Sequence, residues 1–185
     1  MSAFLRGAVA AIAILILGGT AMAADPENTL YLDLASGRVV IAMRPDLAPK
    51  HVARIKELVR QHFYDGILFH RVIDGFMAQT GDPTGTGTGG SGQKIPAEFS
   101  KTAHFVRGTV GMARSQNPDS GDSQFFIMFT SYPSLDGQYT IWGEVVSGME
   151  FVDQIKKGDP NSGRVANPDK IVRLQVAADA DKAKQ

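Results

Sequence analysis

The chain has 185 residues with 19 basic and 19 acidic side chains, four histidines and no cysteine. This length predicts a single domain. The balanced charge leaves no surplus of basic residues to collect phosphates, so nucleic acid is not an expected partner. Without cysteine there is no disulfide and no catalytic thiol, and the core alone must stabilise the fold.

Residues 1–23 have the pattern of a secretory signal peptide. Arg6 precedes an uncharged apolar stretch over residues 7–17, and Ala21-Met22-Ala23 has the small-x-small form of a cleavage site. The stretch is too short to span a bilayer, and the small residues before the cleavage site favour a cleaved leader over an uncleaved anchor. We therefore expect a bacterial periplasmic or secreted protein that starts near Ala24 and is not stably inserted in the membrane.

The first elements of the mature chain are a hairpin and a helix. After a short lead at residues 24–29, residues 30–34 and 39–43 alternate or are β-branched around a turn, which predicts two paired strands. Apolar residues then recur at spacings of three and four after Pro49, which predicts an amphipathic helix over residues 49–61.

The rest of the chain is predicted to be mainly β. Further strands are expected at residues 67–73, 76–80, 109–113, 124–129, 141–146 and 171–176. Ser147 and Glu150 form a capping-box pattern, which predicts a second helix ending at Gly158. About eight strands and two helices without a βαβ rhythm indicate an antiparallel barrel or sandwich with helical caps, and residues 177–185 are expected to be a flexible tail.

The glycine-rich run GDPTGTGTGGSG at residues 81–92 does not predict a phosphate site. It matches G-x-G-x-x-G twice, but the residues after it do not begin a helix whose N-terminus could bind an anion. We expect a flexible surface loop.

The titratable residues do not suggest nucleophilic or metal chemistry. No serine has a nucleophile-elbow context, and no set of ligands has metal-site spacing. We expect His70 to be hydrogen-bonded in the core, His51 and His62 to be solvated or packing residues on the first helix, and Asp122 and Asp136 to serve in turns.

One segment, FHRVIDGFMAQTGD at residues 69–82, places Arg71 among apolar side chains. Such an arginine is either a structural residue in a hydrogen bond or ion pair, or the polar group of an apolar binding site. With GTGG at residues 87–90, GTVGMAR at 108–114 and SQFFI at 123–127, this segment closely resembles the cyclophilin family of peptidyl-prolyl cis–trans isomerases. The resemblance covers residues 30–176 and implies an eight-stranded antiparallel closed barrel capped by two α-helices.

The resemblance also implies the site. Arg71 matches the catalytic residue of the family, and the expected substrate-binding positions are Ile73, Phe76, Met77, Gln79, Ala113, Arg114, Gln124, Phe126, Leu135 and Tyr139. The expected partners are proline-containing polypeptides. Turning an X-Pro bond makes and breaks no covalent bond, so no nucleophile, metal or cofactor is required; the barrier is the ~18–20 kcal/mol of amide resonance.

Two positions depart from the family pattern. Ser134 stands where many eukaryotic members have a tryptophan, and Tyr139 stands where they have a histidine. Ser134 lacks the indole N–H donor and its apolar face, so we expect weak binding of cyclosporin-type inhibitors. Tyr139 keeps an aromatic wall with a polar end, so peptide turnover is expected to survive.

Two alternatives from other classes remain open in the sequence. A chaperone could bind proline segments without turnover, in which case its role would not depend on Arg71. A hollow barrel could carry a small apolar ligand, although ten phenylalanines and β-branched strands favour a filled interior. The protein is expected to be a monomer.

Overall fold

The computed structural model describes residues 25–182, with the side chains of 181 and 182 left aside. The predicted signal peptide, the start at Ala24 and the last three residues of the tail lie outside the described residues. The lead before the first strand contains a 3₁₀ turn, Pro26–Asn28, in which the Asp25 side chain accepts a hydrogen bond from the Glu27 N–H.

Eight antiparallel strands form one curled sheet. In chain order they are β1 Thr29–Leu34, β2 Gly37–Met43, β3 Arg71–Ile73, β4 Met77–Thr80, β5 Thr109–Met112, β6 Phe125–Met128, β7 Ile141–Ser147 and β8 Arg173–Val176. Their order across the sheet is β3-β4-β6-β5-β7-β2-β1-β8. The mainly β prediction and the strand count are confirmed.

The hairpin predicted from the alternating pattern is confirmed. Leu30, Leu32 and Leu34 of β1 are buried because a strand sends every second side chain to the same face. In the register of the pair, Leu30 lies opposite Ile41 and Leu32 opposite Val39, so both strands contribute apolar side chains to one core.

The prediction of a closed barrel is wrong, because the two edge strands β3 and β8 do not pair with each other. The segment between α2 and β8 bridges the gap instead. Val72 N–H donates to the Gly163 carbonyl over 2.7 Å, and Phe69 N–H donates to the Asp169 carbonyl over 2.9 Å. Backbone groups of an irregular segment thus pair with the edge that an eighth ladder, between β3 and β8, would otherwise cover.

Helix α1, Pro49–Arg60, agrees with the sequence prediction to within one residue. Proline suits its first position because the missing N–H has no intrahelical partner there. The helix buries His51, Val52, Ile55, Leu58 and Val59 against the sheet, which is the face that the apolar spacing predicted.

The other helices differ from expectation. Helix α2, Met149–Asp153, is shorter than predicted and has no side-chain cap, because Ser147 is the last residue of β7 and Gly148 occupies the N-cap in a left-handed conformation. Residues predicted as a flexible tail form a third helix, α3 Ala177–Lys182, whose first residue is only 2 % exposed. Residues 25–182 therefore contain three α-helices rather than the two predicted.

Buried side chains fill the interior in two clusters. The larger one lies between the sheet and α1 and includes Tyr64, Phe125 and Trp142; the smaller one consists of Met77, Phe105, Phe126, Met128 and Ile141. A filled interior argues against a barrel that carries a small ligand. No helix within residues 25–182 combines the length and the apolar character needed to cross a membrane.

Candidate active site

Strand register brings the predicted site together. Arg71 on β3 lies opposite Gln79 on β4, and Gln79 lies opposite Phe126 on β6. Directly opposed residues of neighbouring strands share a face of the sheet. The cation, the amide and the aromatic ring therefore stand in one row across three strands.

The Arg71 guanidinium is held by neutral groups. Its Nη1 donates to Gln79 Oε1 over 3.1 Å and lies 3.9 Å from Met77 Sδ, and its Nε donates to the Ser162 carbonyl over 3.3 Å. Among the side chains of residues 25–180, no carboxylate forms an ion pair with it. The reading of Arg71 as half of a strand-face ion pair is therefore wrong.

A relay of amides orients the Gln79 side chain. Gln124 Nε2 donates to the carbonyls of Gly87 and Gly89 over 3.0 and 2.8 Å, which leaves its oxygen to accept from Gln79 Nε2 over 2.9 Å. Since the Gln79 NH₂ group points to Gln124, its oxygen faces Arg71. The relay fixes the guanidinium without neutralising its charge.

A cavity of about 170 Å³ lies beside this row of side chains. That is the scale of one side chain and smaller than the usual drug-sized site. Its lining contains nine of the eleven predicted site residues, namely Arg71, Phe76, Met77, Gln79, Ala113, Arg114, Phe126, Leu135 and Tyr139. We call it the apolar cavity.

Two predicted residues do not line the apolar cavity. Ile73 packs over Gly163, where an added Cβ would lie 2.6 Å from Ile73 Cγ1, so that its role is to seat the bridging segment. Gln124 lines an adjacent groove of about 370 Å³, which shares Gln79, Ala113 and Arg114 with the apolar cavity. Gln124 therefore acts on the site through Gln79.

Phe126 forms the floor of the apolar cavity and is 5 % exposed. Its ring stacks on Phe105 with 5.7 Å between centroids and meets Tyr139 edge-on at 5.8 Å. A Cβ at Gly111 would lie 2.5 Å from the Phe126 ring. Glycine at that position lets the ring lie flat on β5, and the aromatic contacts hold it there.

Arg114 is a wall of the cavity whose charge is already engaged. Its Nε and Nη2 donate to the Gln138 carbonyl over 3.0 and 2.9 Å, and the guanidinium lies 4.5 Å from the centroid of the Tyr139 ring. The cation–π contact orients Tyr139 toward the cavity. Arg114 is thus held by a carbonyl and an aromatic ring, whereas Arg71 is held by an amide and a carbonyl at the edge of the cavity.

The family model described as cyclophilin type peptidyl-prolyl cis-trans isomerase/CLD matches residues 29–176. The chain belongs to the cyclophilin-type peptidyl-prolyl cis–trans isomerases. A probable peptidyl-prolyl cis-trans isomerase of Brucella suis is 57 % identical, covering 95 % of this chain and 98 % of the relative. Peptidyl-prolyl cis-trans isomerase B of Bacillus subtilis is 42 % identical, covering 71 % and 93 %.

Solved structures agree with this assignment. A cyclophilin from Hirschia baltica has a TM-score of 0.74 and 27 % identity, covering 84 % of this chain and 76 % of that one. A cyclophilin type peptidyl-prolyl cis-trans isomerase from Cryptosporidium parvum has a TM-score of 0.74 and 28 % identity, covering 80 % and 98 %. This cyclophilin is therefore an isomerase that acts on proline-containing peptides.

Sequence reasoning missed one aromatic residue at the rim of the cyclophilin site. Tyr132 is 43 % exposed, and its ring lies 4.6 Å from that of Phe76, a wall of the apolar cavity. Ser134 lies nearby, exposed in the 3₁₀ turn Pro133–Leu135. The sequence signal that could have identified Tyr132 as a site residue is its position, two residues before Ser134.

Weak cyclosporin binding stays a prediction. We expect Ser134→Trp to tighten the binding of a cyclosporin-type inhibitor, by about tenfold, since one charge-neutral hydrogen bond with apolar contact contributes on the order of 1 kcal/mol. Calorimetric titration of wild type and variant measures this. Nanomolar affinity of the wild type would contradict the prediction.

The glycine-rich loop is pinned, which corrects the expectation of flexibility. Both oxygens of buried Asp82 accept hydrogen bonds from the loop, including Thr84 N–H at 2.7 Å and Gly87 N–H at 2.6 Å. Asp122, expected in a turn, holds the far end of the loop through Ser91 N–H at 2.8 Å and Gly92 N–H at 3.2 Å. The two carboxylates fix the carbonyls that orient Gln124.

Asp82 makes stability depend on pH. Burial acts to raise its pKa, but hydrogen bonds from Thr84, Gly89 and Gly87 outweigh it and lower the pKa to about 2. A depressed folded-state pKa contributes stability above the unfolded value that is lost as pH falls toward the folded one. We expect urea unfolding to show about 2 kcal/mol lost in this way between about pH 5 and pH 1.

The matched variant for that prediction is Asp82→Asn, which cannot titrate at this position. The difference in free energy of unfolding between wild type and Asp82→Asn should shrink as pH falls over the same range. A difference that stays constant with pH would contradict the role of the Asp82 carboxylate.

Asp136 also does more than form a turn. It accepts from Phe105 N–H and from His104 Nδ1, each over 2.7 Å, and these contacts lower its pKa, the Phe105 amide most. Phe105 carries the ring on which Phe126 stacks. The carboxylate thereby ties the 3₁₀ turn that holds Leu135 to the floor of the apolar cavity.

The prediction of packing or solvated side chains is confirmed for His51, which packs on α1, and for His62, which is exposed just after the helix, whereas the prediction for His70 is not. His51 is buried and its Nδ1 lies 2.6 Å from Glu98 Oε2, although burial lowers its pKa more than Glu98 raises it. His62 follows α1 in a left-handed conformation beside Asp65. His70 is 8 % exposed, but neither ring nitrogen has a hydrogen-bond partner among the described residues, so the expected hydrogen-bonded role is wrong.

Proposed function

We propose that this cyclophilin accelerates X-Pro rotation in exported polypeptides and so assists their folding, with Arg71 as the catalytic residue. The observation that carries the assignment of Arg71 is its position at the edge of the apolar cavity with a guanidinium that neutral groups orient. Its Nη2 makes no hydrogen bond to a residue in the described part of the chain. That edge is available to a substrate.

The chemistry follows from what changes during rotation. In the planar ground states the imide nitrogen shares its lone pair with the carbonyl, whereas in the twisted transition state the nitrogen becomes pyramidal and can accept a hydrogen bond. A guanidinium N–H placed at that nitrogen stabilises the transition state more than either ground state. Interactions of this differential kind accelerate a reaction.

Arg71 supplies only part of the acceleration. A factor of about 10⁵ corresponds to about 7 kcal/mol, whereas one charge-assisted hydrogen bond contributes about 1.5–3 kcal/mol. The remainder must come from holding the proline ring while the preceding carbonyl turns. The apolar cavity can hold the ring between Phe126, Met77 and Leu135. A Cryptosporidium parvum relative solved in the presence of the dipeptide Ala-Pro supports an occupant of this size.

The groove beside the apolar cavity suits the residues next to the proline. Ala113 and Arg114 line both spaces, so a chain whose proline occupies the cavity would cross them into the groove. Polypeptide substrates, rather than free proline, fit this continuity.

The proposed place of action is the periplasm or the exterior of a bacterium, and the proposed state is a soluble monomer after removal of residues 1–23. We expect cell fractionation to recover the protein outside the cytoplasm with Ala24 at its N-terminus, and deletion of residues 2–23 to retain it inside. Sedimentation of the exported protein should give the mass of one chain. Recovery of the full-length chain in the membrane fraction would contradict the proposal.

The alternative is a proline-binding chaperone whose role needs no turnover. Refolding of a test protein that is limited by a proline isomerisation separates the two. The exported wild type should accelerate the slow refolding phase, and Arg71→Ala should not. Equal acceleration, or equal suppression of aggregation without any change in the slow phase, would favour the chaperone.

A further inference from the structure

Arg71 also lines another cavity, whose side chains are mostly polar. It has a volume of about 410 Å³, and its lining includes His70, Arg71, Gln79 and Arg164. Arg71 and Gln79 also line the apolar cavity. The two cavities therefore adjoin at Arg71 and Gln79, and we call this one the arginine cavity.

Two arginines stand side by side at this cavity. Arg71 and Arg164 are partners in an isolated antiparallel bridge between β3 and the bridging segment. Arg164 is exposed, and its guanidinium makes no hydrogen bond or ion pair with any of residues 25–180. Two cations held close together repel each other and gain from an anion between them.

His70 gives an independent indication of a ligand. Its ring lines the same cavity and is more than nine-tenths buried, and both ring nitrogens lack a partner among the described residues. A buried donor without a partner is unfavourable, because it has lost its hydrogen bond to water. Burial lowers the pKa of His70, which favours the neutral ring with one N–H.

The carboxylates nearest to the cavity in sequence do not occupy it. Asp82, on the strand that follows Gln79, accepts hydrogen bonds from the glycine-rich loop. Asp159, in the turn before Arg164, accepts from Asn161 N–H and Ser162 N–H over 3.0 and 2.8 Å. Neither residue lines the cavity, so the polar side chains of its lining are two arginines, a histidine, an amide and two hydroxyls, without a carboxylate.

We propose that the arginine cavity binds the carboxylate of an acidic side chain close to the substrate proline. This inference rests on the proposed function, because it concerns the same bound chain. The guanidinium of Arg164 offers the paired donors that suit a carboxylate, with the His70 N–H as a further donor. The consequence is a preference for clients with Asp or Glu within a few residues of the proline.

The test uses proline peptides with blocked ends, made in pairs that differ only in having Glu or Gln at one position. The varied position is, in turn, each of the two before the X-Pro pair and each of the two after it. We expect at least one Glu peptide to exceed its Gln twin in kcat/KM by about two- to fivefold, the range of a partly exposed ion pair. The ratio should fall to about one in Arg164→Gln. Arg173→Gln, at an exposed arginine that lines none of the three cavities, should keep it.

A second readout addresses His70 itself. The ring-nitrogen NMR signals of His70 should shift when the preferred Glu peptide is added and stay in place with its Gln twin. The inference is overturned if no Glu peptide is preferred, if the preference survives Arg164→Gln, or if the His70 signals do not respond. Failure to turn over any of these peptides would instead overturn the proposed function.

Discussion

Arg71→Ala is expected to lower kcat/KM for a proline peptide by about 10- to 150-fold. This range corresponds to the loss of one charge-assisted hydrogen bond of about 1.5–3 kcal/mol in the transition state. Because the contacts of the guanidinium with the described residues are to the neutral groups of Gln79, Met77 and Ser162, the substitution leaves none of their carboxylates without a partner. A protease-coupled isomerisation assay measures the effect.

Two controls belong to this prediction. Arg71→Lys keeps the charge but not the planar set of donors, and should recover only part of the activity. Arg173→Ala removes an exposed arginine elsewhere and should leave kcat/KM unchanged. Wild-type activity in a folded Arg71→Ala protein would show that the guanidinium takes no part in the reaction.

Phe126→Ala is expected to have the largest effect on stability among residues of the site and to abolish most turnover. Its ring is nearly fully buried, stacks on Phe105 and forms the cavity floor. Truncating a buried phenylalanine costs about 3–5 kcal/mol. Without the Phe126 ring, the proline ring is no longer held against Arg71. The fall in kcat/KM should therefore be larger than the loss of folded protein alone would cause.

Phe125→Ala is the matched control for that substitution. Phe125 precedes Phe126 on β6 but points to the opposite face, where it contacts Tyr64 and Trp142 in the main core. Urea unfolding should show similar losses of stability in the two variants. Per folded molecule, Phe125→Ala should retain turnover and Phe126→Ala should not; equal turnover would contradict the role of the Phe126 ring.

The parts of the fold that local periodicity encodes were predictable. The alternation in β1 and β2 and the three-four spacing in α1 place apolar side chains on one face, and the structure confirms both. The openness of the sheet was not predictable, since it depends on how two edge strands distant in sequence meet. The bridging residues 163–171 have no periodic pattern from which their contacts with β3 could be inferred.

The residues of the site were predictable from the sequence, but the contacts that orient them were not. The family motifs identified Arg71 and the walls of the apolar cavity, whereas Ile73 and Gln124 lie outside it because their side chains pack on Gly163 and on loop carbonyls. The role of the glycine-rich loop depends on hydrogen bonds to Asp82 and Asp122. Asp82 bonds to residues at most 7 positions away and Asp122 to a residue 31 positions away, and neither set of contacts follows a periodic pattern in the sequence.

The central claim is that Arg71 acts on the twisted imide and not on the resting peptide. NMR exchange measurements on a cis/trans proline peptide report the interconversion rate of the bound peptide separately from its dissociation constant. For Arg71→Ala the bound-state rate should fall at least about tenfold while the dissociation constant changes by less than about threefold. A weakened affinity with an unchanged bound-state rate would contradict the claim.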